Sequence, residues 1–200
     1  MELAPAITAF GNTNPISYFR LVPHQEAPTN ICWGDRNRSV LVRVPLGWSA
    51  KTDMCAAANP LEKATVYDTS HKQTVEMRSP DGSANIYLLM AGLAVACRHG
   101  FEIGNALEIA EKTYVNVNIH QKENEAKLNS LAQLPDSCAA SADCLNSLRE
   151  VFERHDVFSP AMIDGLIDGL RKYDDRTLRQ DIEGNDEEIQ KLVEQFFHCG

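Results

Sequence analysis

β-Strand patterns occur in only three short segments of this 200-residue chain, and all three lie before residue 80. They cover residues 30–34, 39–45 and 72–78. In the second segment three valines alternate with Leu41 and Arg43, which is the period of two expected for a strand. The turn residues between the first two segments favour an antiparallel pair. Three short strands are too few to close a barrel, so helices are expected to complete the fold.

Helical patterns dominate the second half of the chain. A helix is predicted from about residue 84 to 99, closed by Gly100. Ser159 and Pro160 form a strong helix start, as N-cap and first helical position. We therefore predict an α+β fold in which a few antiparallel strands precede a mainly helical region. One structural domain is expected, with strands and a buried helix in residues 1–100 and an acidic helical region in residues 101–200. Further helical candidates are residues 105–116, 122–132, 140–155 and 186–200.

Charge differs sharply between the two halves. The formal net charge is −9. Residues 1–100 hold nine basic and eight acidic side chains, whereas residues 101–200 hold ten and twenty. The acidic half argues against nucleic acid as a partner. No apolar run is long enough for a membrane span, and the N-terminus lacks the pattern of a secretory signal. The six cysteines form no CxxC pair, so reduced thiols in a cytoplasmic protein are expected.

Arginines and isolated carboxylates mark the first half. Arg43 in the second strand and Arg78 after the third are expected to share a face, and Glu76 projects to the same side as Arg78. Guanidinium groups fit carboxylate and phosphate oxygens in two-point contacts, and a glutamate beside them can also ligate Mg²⁺. Each arginine alone is typical of a solvated surface position. Together they favour an anion-handling site, whose candidates are Arg20, Arg36, Arg38, Arg43, Arg78, Glu76 and Glu26, the last on a loop between two prolines.

Two ordered motifs carry a resemblance to a known family. The segment SYFRLVPHQEAPTNICWGDRNRSVLVRVP is similar to SYxRLVPGxEAP…ARNRS…IRIP of glutamine synthetases. The segment VEMRSPDGSANIYLLMAGLAVA is similar to xExRxPDxxANPYLxxAAxLxA of the same family. The resemblance is greatest to the bacterial type I branch and covers residues 4–100 with specific motifs. It implies that the chain corresponds to the C-terminal part of the catalytic domain, with strands from a partial barrel.

The resemblance implies an activity and a set of ligands. Glutamine synthetases join glutamate and ammonia at the expense of ATP, through a γ-glutamyl phosphate, with Mg²⁺ or Mn²⁺ in the site. By position, Arg20 and Arg78 would bind glutamate, and Glu26 would be a catalytic base on the flap that closes over it. An acyl phosphate reacts with water, so a mobile lid suits this chemistry.

On the nucleotide side, the resemblance assigns Arg38 and Arg43 to the phosphates of ATP, with Arg38 catalytic during phosphoryl transfer. Glu76 would bind the metal ion on that side. The full-length family forms ring-shaped homo-oligomers. The family's N-terminal β-domain and the first part of its catalytic domain, with further metal ligands, are expected to be missing here. The chain alone is therefore expected to bind ATP and metal weakly and to be inactive.

Departures from the family pattern leave alternatives open. The flap carries His24 and Gln25 where the family has a glycine, and residues 46–72 are longer than the usual connection. A γ-glutamyl ligase for another amine is one alternative. A non-catalytic assembly or regulatory domain is another, because the apolar stripe of the last helix could dock on other subunits. In the chain alone that stripe is expected to fold onto the helix at 84–99. A phosphate-binding module is disfavoured, since no Walker-type glycine loop is present.

Overall fold

The computed structural model describes residues 1–22, 27–45, 53–63 and 73–198. The predicted flap residues His24 and Gln25 and the proposed base Glu26 lie outside these ranges. The helices in the described ranges are α1 (Ala4–Gly11), α2 (Pro15–Arg20), α3 (Met54–Ala58), α4 (Ile86–Glu102), α5 (Ala106–Thr113), α6 (Glu125–Asn129), α7 (Cys138–Ser147), α8 (Arg149–Glu153), α9 (Pro160–Arg171), α10 (Leu178–Asp181) and α11 (Asp186–Phe196).

The strands β1 (Trp33–Asp35), β2 (Val42–Val44) and β3 (Glu76–Met77) form one mixed sheet in the order β1-β2-β3. β2 and β3 are antiparallel, but β1 and β2 are parallel. The α+β prediction is confirmed, whereas the antiparallel pairing expected for the first two strands is wrong.

The loop between β1 and β2 explains the parallel pairing. Arg36 has a left-handed backbone, with φ of 52°, which turns the chain back at the end of β1. The Asn37 side chain then accepts hydrogen bonds from the backbone N–H of Ser39 at 2.9 Å and from its hydroxyl at 2.7 Å. This Asx-type turn returns the chain to the start of β1 before β2 begins. β2 therefore runs in the same direction as β1.

Helix α1 lies at the centre of the main core, and all of its residues except Pro5 are buried. It packs against α4, α7 and α9. Phe10 meets the rings of Phe152 and Phe158, each at 5.2 Å between centroids. The first residues of the chain thus organise helices that follow more than 80 residues later.

A buried hydroxyl network joins α1, α2 and α7. The Tyr18 hydroxyl donates to the carbonyl of Asn12 at 2.9 Å and lies 2.5 Å from the Ser141 hydroxyl. The Ser141 hydroxyl is also 2.6 Å from that of Thr8. These bonds satisfy polar groups that would otherwise be buried without partners.

Local capping signals set the ends of several helices. The Ser159 side chain accepts from the N–H of Met162, which confirms the predicted start of α9. Asn85 caps α4 in the same way, and that helix continues through Gly100 to Glu102 rather than closing at Gly100. Helix α7 has a further, distant cap, because the buried carboxylate of Asp175 accepts from the backbone N–H groups of Cys138 and Ala139.

The acidic helical half carries ion pairs on its surface. Asp143 of α7 pairs with both Arg171 and Arg176, and these two partners lower the pKa of its carboxyl.

The last helix, α11, packs against α2 rather than folding onto α4 as predicted, and the Phe196 ring lies 5.8 Å from the ring of Tyr173. In the described ranges no single helix has the length and apolarity to cross a bilayer, although α4 and α5, bent by 112°, meet that test as a pair.

Candidate functional site

One face of the sheet is polar, and its centre is an ion pair between two strands. The register opposes Arg43 to Glu76 and Val42 to Met77. Because successive side chains of a strand point to opposite faces, the first pair lies on one side of the sheet and the second on the other. The Arg43 Nε donates to Glu76 Oε2 at 2.6 Å, a short charge-assisted bond between partly buried groups. The motifs that supply these two residues are more than 30 positions apart in sequence.

Arg78 closes the polar face at the end of β3. Its backbone N–H donates to the carbonyl of Leu41 at 3.0 Å, which continues the ladder beyond the last strand residue. Its side chain Nη1 donates to the carbonyl of Val40 at 3.1 Å and to the carbonyl of Arg38. Arg78 thereby holds the loop before β2 against the end of β3.

Arg38 and Arg36 belong to the loop at the edge of this face. The Arg38 side chain is exposed, and its contact with the site is through its carbonyl oxygen to Arg78. Arg36 is exposed as well and pairs with Asp35 at 3.4 Å. Of the residues predicted to share a face, Arg43 and Glu76 are therefore in direct contact and Arg78 bonds to the backbone of the loop before β2, whereas Arg36 faces its own strand neighbour.

Arg20 reaches the same region from α2. Its Nη2 donates to the carbonyl oxygens of Ser79 and of Pro80, the latter at 3.2 Å. Arg20 therefore touches the backbone of the two residues that follow Arg78. It also lines a cavity of about 520 Å³ whose other walls are Asn14, Ile16, Ser17, the turn 81–83 and residues 196–198.

Asn12 and Ser79 are two residues of this region that the motifs did not single out. The buried Asn12 side chain donates from Nδ2 to the Ser79 carbonyl at 2.8 Å, the same oxygen that Arg20 contacts. Asn12 thus fixes the peptide that anchors Arg20. A sequence signal for it exists in the turn GNTNP, where asparagines commonly bond to nearby backbone groups.

The arrangement joins the Arg43 guanidinium to the Glu76 carboxylate and ties those of Arg20 and Arg78 to backbone carbonyl oxygens. Within the described part of the chain, no group of three or more His, Cys, Asp or Glu side chains is arranged to hold a metal ion. Glu76 Oε2 is also engaged by Arg43. These residues by themselves therefore suit oxyanions of phosphate or carboxylate better than a divalent cation.

Comparison with known proteins accounts for these arginines. The family model for the glutamine synthetase catalytic domain matches residues 1–188. The chain belongs to the glutamine synthetase family. That match confirms the resemblance drawn from the two arginine-bearing motifs, and it extends through most of the helical half.

Individual glutamine synthetases show how much of the family's length is represented. The chain is 35% identical to the glutamine synthetase of Streptomyces coelicolor over 171 residues, which is 86% of the chain and 31% of that protein. It is 30% identical to that of Aquifex aeolicus over the same shares. It is 32% identical to that of Pyrococcus abyssi over 154 residues, 76% of the chain and 29% of the relative. The chain thus spans about a third of the length of these glutamine synthetases.

Proposed function

We propose that this chain supplies the arginine-bearing part of the active site of an ATP-dependent glutamate–ammonia ligase, corresponding to the C-terminal part of its catalytic domain. The observation that carries the proposal is the contact between Arg43 and Glu76, with Arg78 bound at the end of the same face. Arg43 from the first family motif meets Glu76 from the second there, and Arg78 of the second motif bonds to the backbone of the first. The ligase reaction would proceed through γ-glutamyl phosphate, which requires an environment that neutralises phosphoryl oxygens.

On the nucleotide side, Arg38 and Arg43 are the proposed phosphate contacts. In phosphoryl transfer the charge spreads over the peripheral oxygens of the transferred group, and fixed cations lower the barrier by neutralising it. The ion pair with Glu76 holds the Arg43 guanidinium in one orientation before any ligand arrives. The Arg38 side chain is exposed, so it is available to a ligand at the edge of the sheet.

On the substrate side, Arg20 and Arg78 are the proposed contacts for glutamate carboxylates. Both guanidinium groups are tied to backbone carbonyl oxygens, which fixes their positions, and the Arg20 fork has further N–H donors for a carboxylate. Glu26 remains the proposed flap base, on the strength of the motif alone. Its role would be to accept a proton from the amine that attacks the acyl phosphate.

Mg²⁺ or Mn²⁺ would supply charge neutralisation at the phosphates in the intact ligase. The described residues do not form such a site alone, because no three or more of their His, Cys, Asp or Glu side chains are grouped to hold a metal and Glu76 is bonded to Arg43. Glu76 would contribute one carboxylate, and the others would come from parts of the family's length outside the matched segment. Each missing charge-assisted contact removes roughly 1.5–3 kcal/mol. Weak ATP binding and no glutamine synthesis are therefore expected of the chain alone.

A chimera tests the proposal. Residues 1–188 replace the aligned segment in the Streptomyces coelicolor glutamine synthetase, and glutamine formation is measured with ATP, glutamate and ammonia. We expect activity in the chimera and its loss by about 100-fold or more in the Arg43→Ala version. The matched control is Arg36→Ala, which removes an exposed arginine outside the ion pair and should keep the activity. A chimera that folds by circular dichroism but stays inactive would refute the proposal.

The same chimera separates two other functions. Feeding amines other than ammonia tests a γ-glutamyl ligase with a different acceptor. A non-catalytic assembly domain is favoured by one observation, namely that the guanidinium groups of Arg20, Arg43 and Arg78 all have intramolecular partners. Ring assembly of the full-length homo-oligomer without activity would support that function instead.

A further inference from the structure

The cavity beside Arg20 has one wall that the family match does not cover. The match ends at residue 188, whereas Phe196, Phe197 and His198 at the end of α11 line this cavity of about 520 Å³. Its other lining residues come from α2, from the residue that caps α2 and from the turn 81–83, all inside the match. One side of the cavity is therefore built by a segment that the family model does not describe.

Helix α11 has its own caps but is attached to its neighbours over a small area. The Asn185 side chain accepts from the N–H of Glu188, and three acidic residues in the first turn suit the positive end of the helix dipole. Of the eleven residues of α11, all within the described part of the chain, only Phe196 is buried. Ile189 and Leu192 are half-buried. An element with so little buried apolar surface opens at a low free energy.

A single aromatic anchor and a glycine define how α11 would move. The Phe196 ring lies 5.8 Å from the ring of Tyr173, in an edge-to-face arrangement. Two residues before α11 begins, Gly184 has φ of 76°, in the left-handed region that glycine adopts without strain. A methyl group added at Gly184 would meet nothing within 4 Å, so no neighbour packs against this point. The helix is therefore held at Phe196 and free to turn about Gly184.

Phe197 and His198, called here the α11 tip, follow the anchor and face the cavity. Their rings lie 4.9 Å apart, edge to face. Both side chains are exposed, and Phe197 is 72% exposed. A ligand in the cavity would therefore cover apolar surface of the tip without any repacking of the core.

The fixed walls of the cavity present a cation and a carboxylate. Arg20 Nη2 donates to the carbonyl oxygens of Ser79 and Pro80, while its Nε and Nη1 have no partner among the described residues. The Asp81 Oδ1 accepts from the Ser83 N–H at 2.9 Å and from the Ser83 hydroxyl at 2.6 Å, which orients the carboxylate. A ligand with one carboxylate and one ammonium group matches these two charges.

We propose that the α11 tip is a movable wall that closes over a small amino acid bound at Arg20. This inference rests on the proposed role of Arg20 as a carboxylate contact, and it adds a second closing element to the flap that carries Glu26. The His198 imidazole would donate to the ligand, and the Phe197 ring would exclude water from the Arg20 contact. Ligand binding and docking of α11 are then coupled, so each strengthens the other by the same factor.

Hydrogen exchange on the full chain tests the coupling. Exchange of backbone amides is followed by mass spectrometry while sodium L-glutamate is added, with sodium chloride at equal ionic strength as the reference. We expect amides of α11 to exchange about tenfold more slowly with glutamate, because the ligand stabilises the docked helix. Amides of α9 serve as an internal control and should not change.

Matched variants separate the anchor from the tip. Phe196→Ala removes the anchor, so it should abolish the protection of α11 and raise the Kd for glutamate about tenfold, measured by NMR from the amide resonance of Ser83. Phe101→Ala is the control, because Phe101 is 92% exposed on α4, and it should change neither quantity. His198→Ala keeps the anchor and should raise the Kd about fivefold while circular dichroism stays unchanged.

Three results would overturn the inference. They are the absence of any glutamate-dependent shift at Ser83, binding of glutamate with unchanged exchange in α11, and equal protection of α11 by sodium chloride.

The proposed function is tested separately, because the chimera with residues 1–188 does not include the α11 tip. An inactive chimera together with glutamate-dependent protection of α11 would refute the proposed function and support the movable wall. An active chimera without such protection would refute the movable wall alone.

Discussion

Tyr18→Phe removes one oxygen atom from the centre of the buried hydroxyl network. Tyr18 is almost fully buried, and its ring remains in place in the variant. The change deletes the hydrogen bond to the Asn12 carbonyl at 2.9 Å and the contact with the Ser141 hydroxyl at 2.5 Å. Ser141 keeps its partner Thr8 at 2.6 Å, but the buried Asn12 carbonyl loses the bond from the phenol. The substitution therefore measures the combined energetic value of the two hydrogen bonds by which Tyr18 links α2 to Asn12 at the end of α1 and to Ser141 of α7.

The expected loss of stability is about 2 kcal/mol, from two hydrogen bonds worth roughly 1 kcal/mol each. For a chain of this size it lowers the midpoint of thermal unfolding by about 4–8 °C. Urea unfolding followed by circular dichroism measures the free energy directly. Tyr87→Phe is the matched control, because Tyr87 is exposed on α4, and it should change stability by less than about 0.5 kcal/mol. Equal stabilities of the two variants would refute the role given to the network.

The burial of the Tyr18 phenol also predicts that the stability difference between the wild-type chain and Tyr18→Phe depends on pH. Burial raises the pKa of Tyr18 above its ordinary value of 10.0. The phenol therefore favours folding below the unfolded-state pKa, and this contribution is lost as the pH rises above it, since only the unfolded chain then releases the proton. Tyr18→Phe has no such proton. The difference in stability between the wild-type chain and the variant should narrow above pH 10, and a widening gap would contradict the reasoning.

Three further perturbations probe other parts of the fold. Asp143→Asn removes the ion pairs that lower the pKa of the Asp143 carboxyl, so the variant should be less stable than the wild-type chain at neutral pH. This difference in stability should vanish as the pH falls through the folded-state pKa of Asp143. Urea unfolding at a series of pH values measures it. Burial raises the pKa of the Cys138 thiol, so iodoacetamide should label Cys138 far more slowly than the exposed Cys55, and equal rates in the folded chain would be inconsistent with this core. Gly34→Ala places a methyl group against the carbonyl oxygen of Val115, which should cost about 1–3 kcal/mol of folding free energy in the same unfolding assay, and an unchanged midpoint would contradict the close approach.

Local sequence signals were sufficient where the interactions they describe are local. Ser159 with Pro160 predicted the start of α9, and the turn before residue 86 predicted the start of α4. A cap involves residues within one turn of each other, so its signal is complete in the sequence. The arginines of the candidate site were proposed from the sequence, because the family motifs name residue types in a fixed order. The expectation that Arg43, Glu76 and Arg78 share one face of the sheet followed from the period of two in strands.

Strand direction and helix docking were decided by the tertiary structure. The parallel pairing of β1 with β2 depends on the left-handed backbone at Arg36 and on the side-chain bonds of Asn37, and the turn residues alone are compatible with either direction. The packing of α11 on α2 depends on surfaces that are about 170 residues apart. An apolar stripe predicts that one face of a helix is buried, but it does not identify the partner, since hydrophobic burial is non-directional. The sequence by itself therefore determined the strand segments, the starts of α4 and α9 and the charged residues of this protein. Which strands and helices meet was decided by three-dimensional packing, because that choice depends on the shapes of surfaces far apart in the chain.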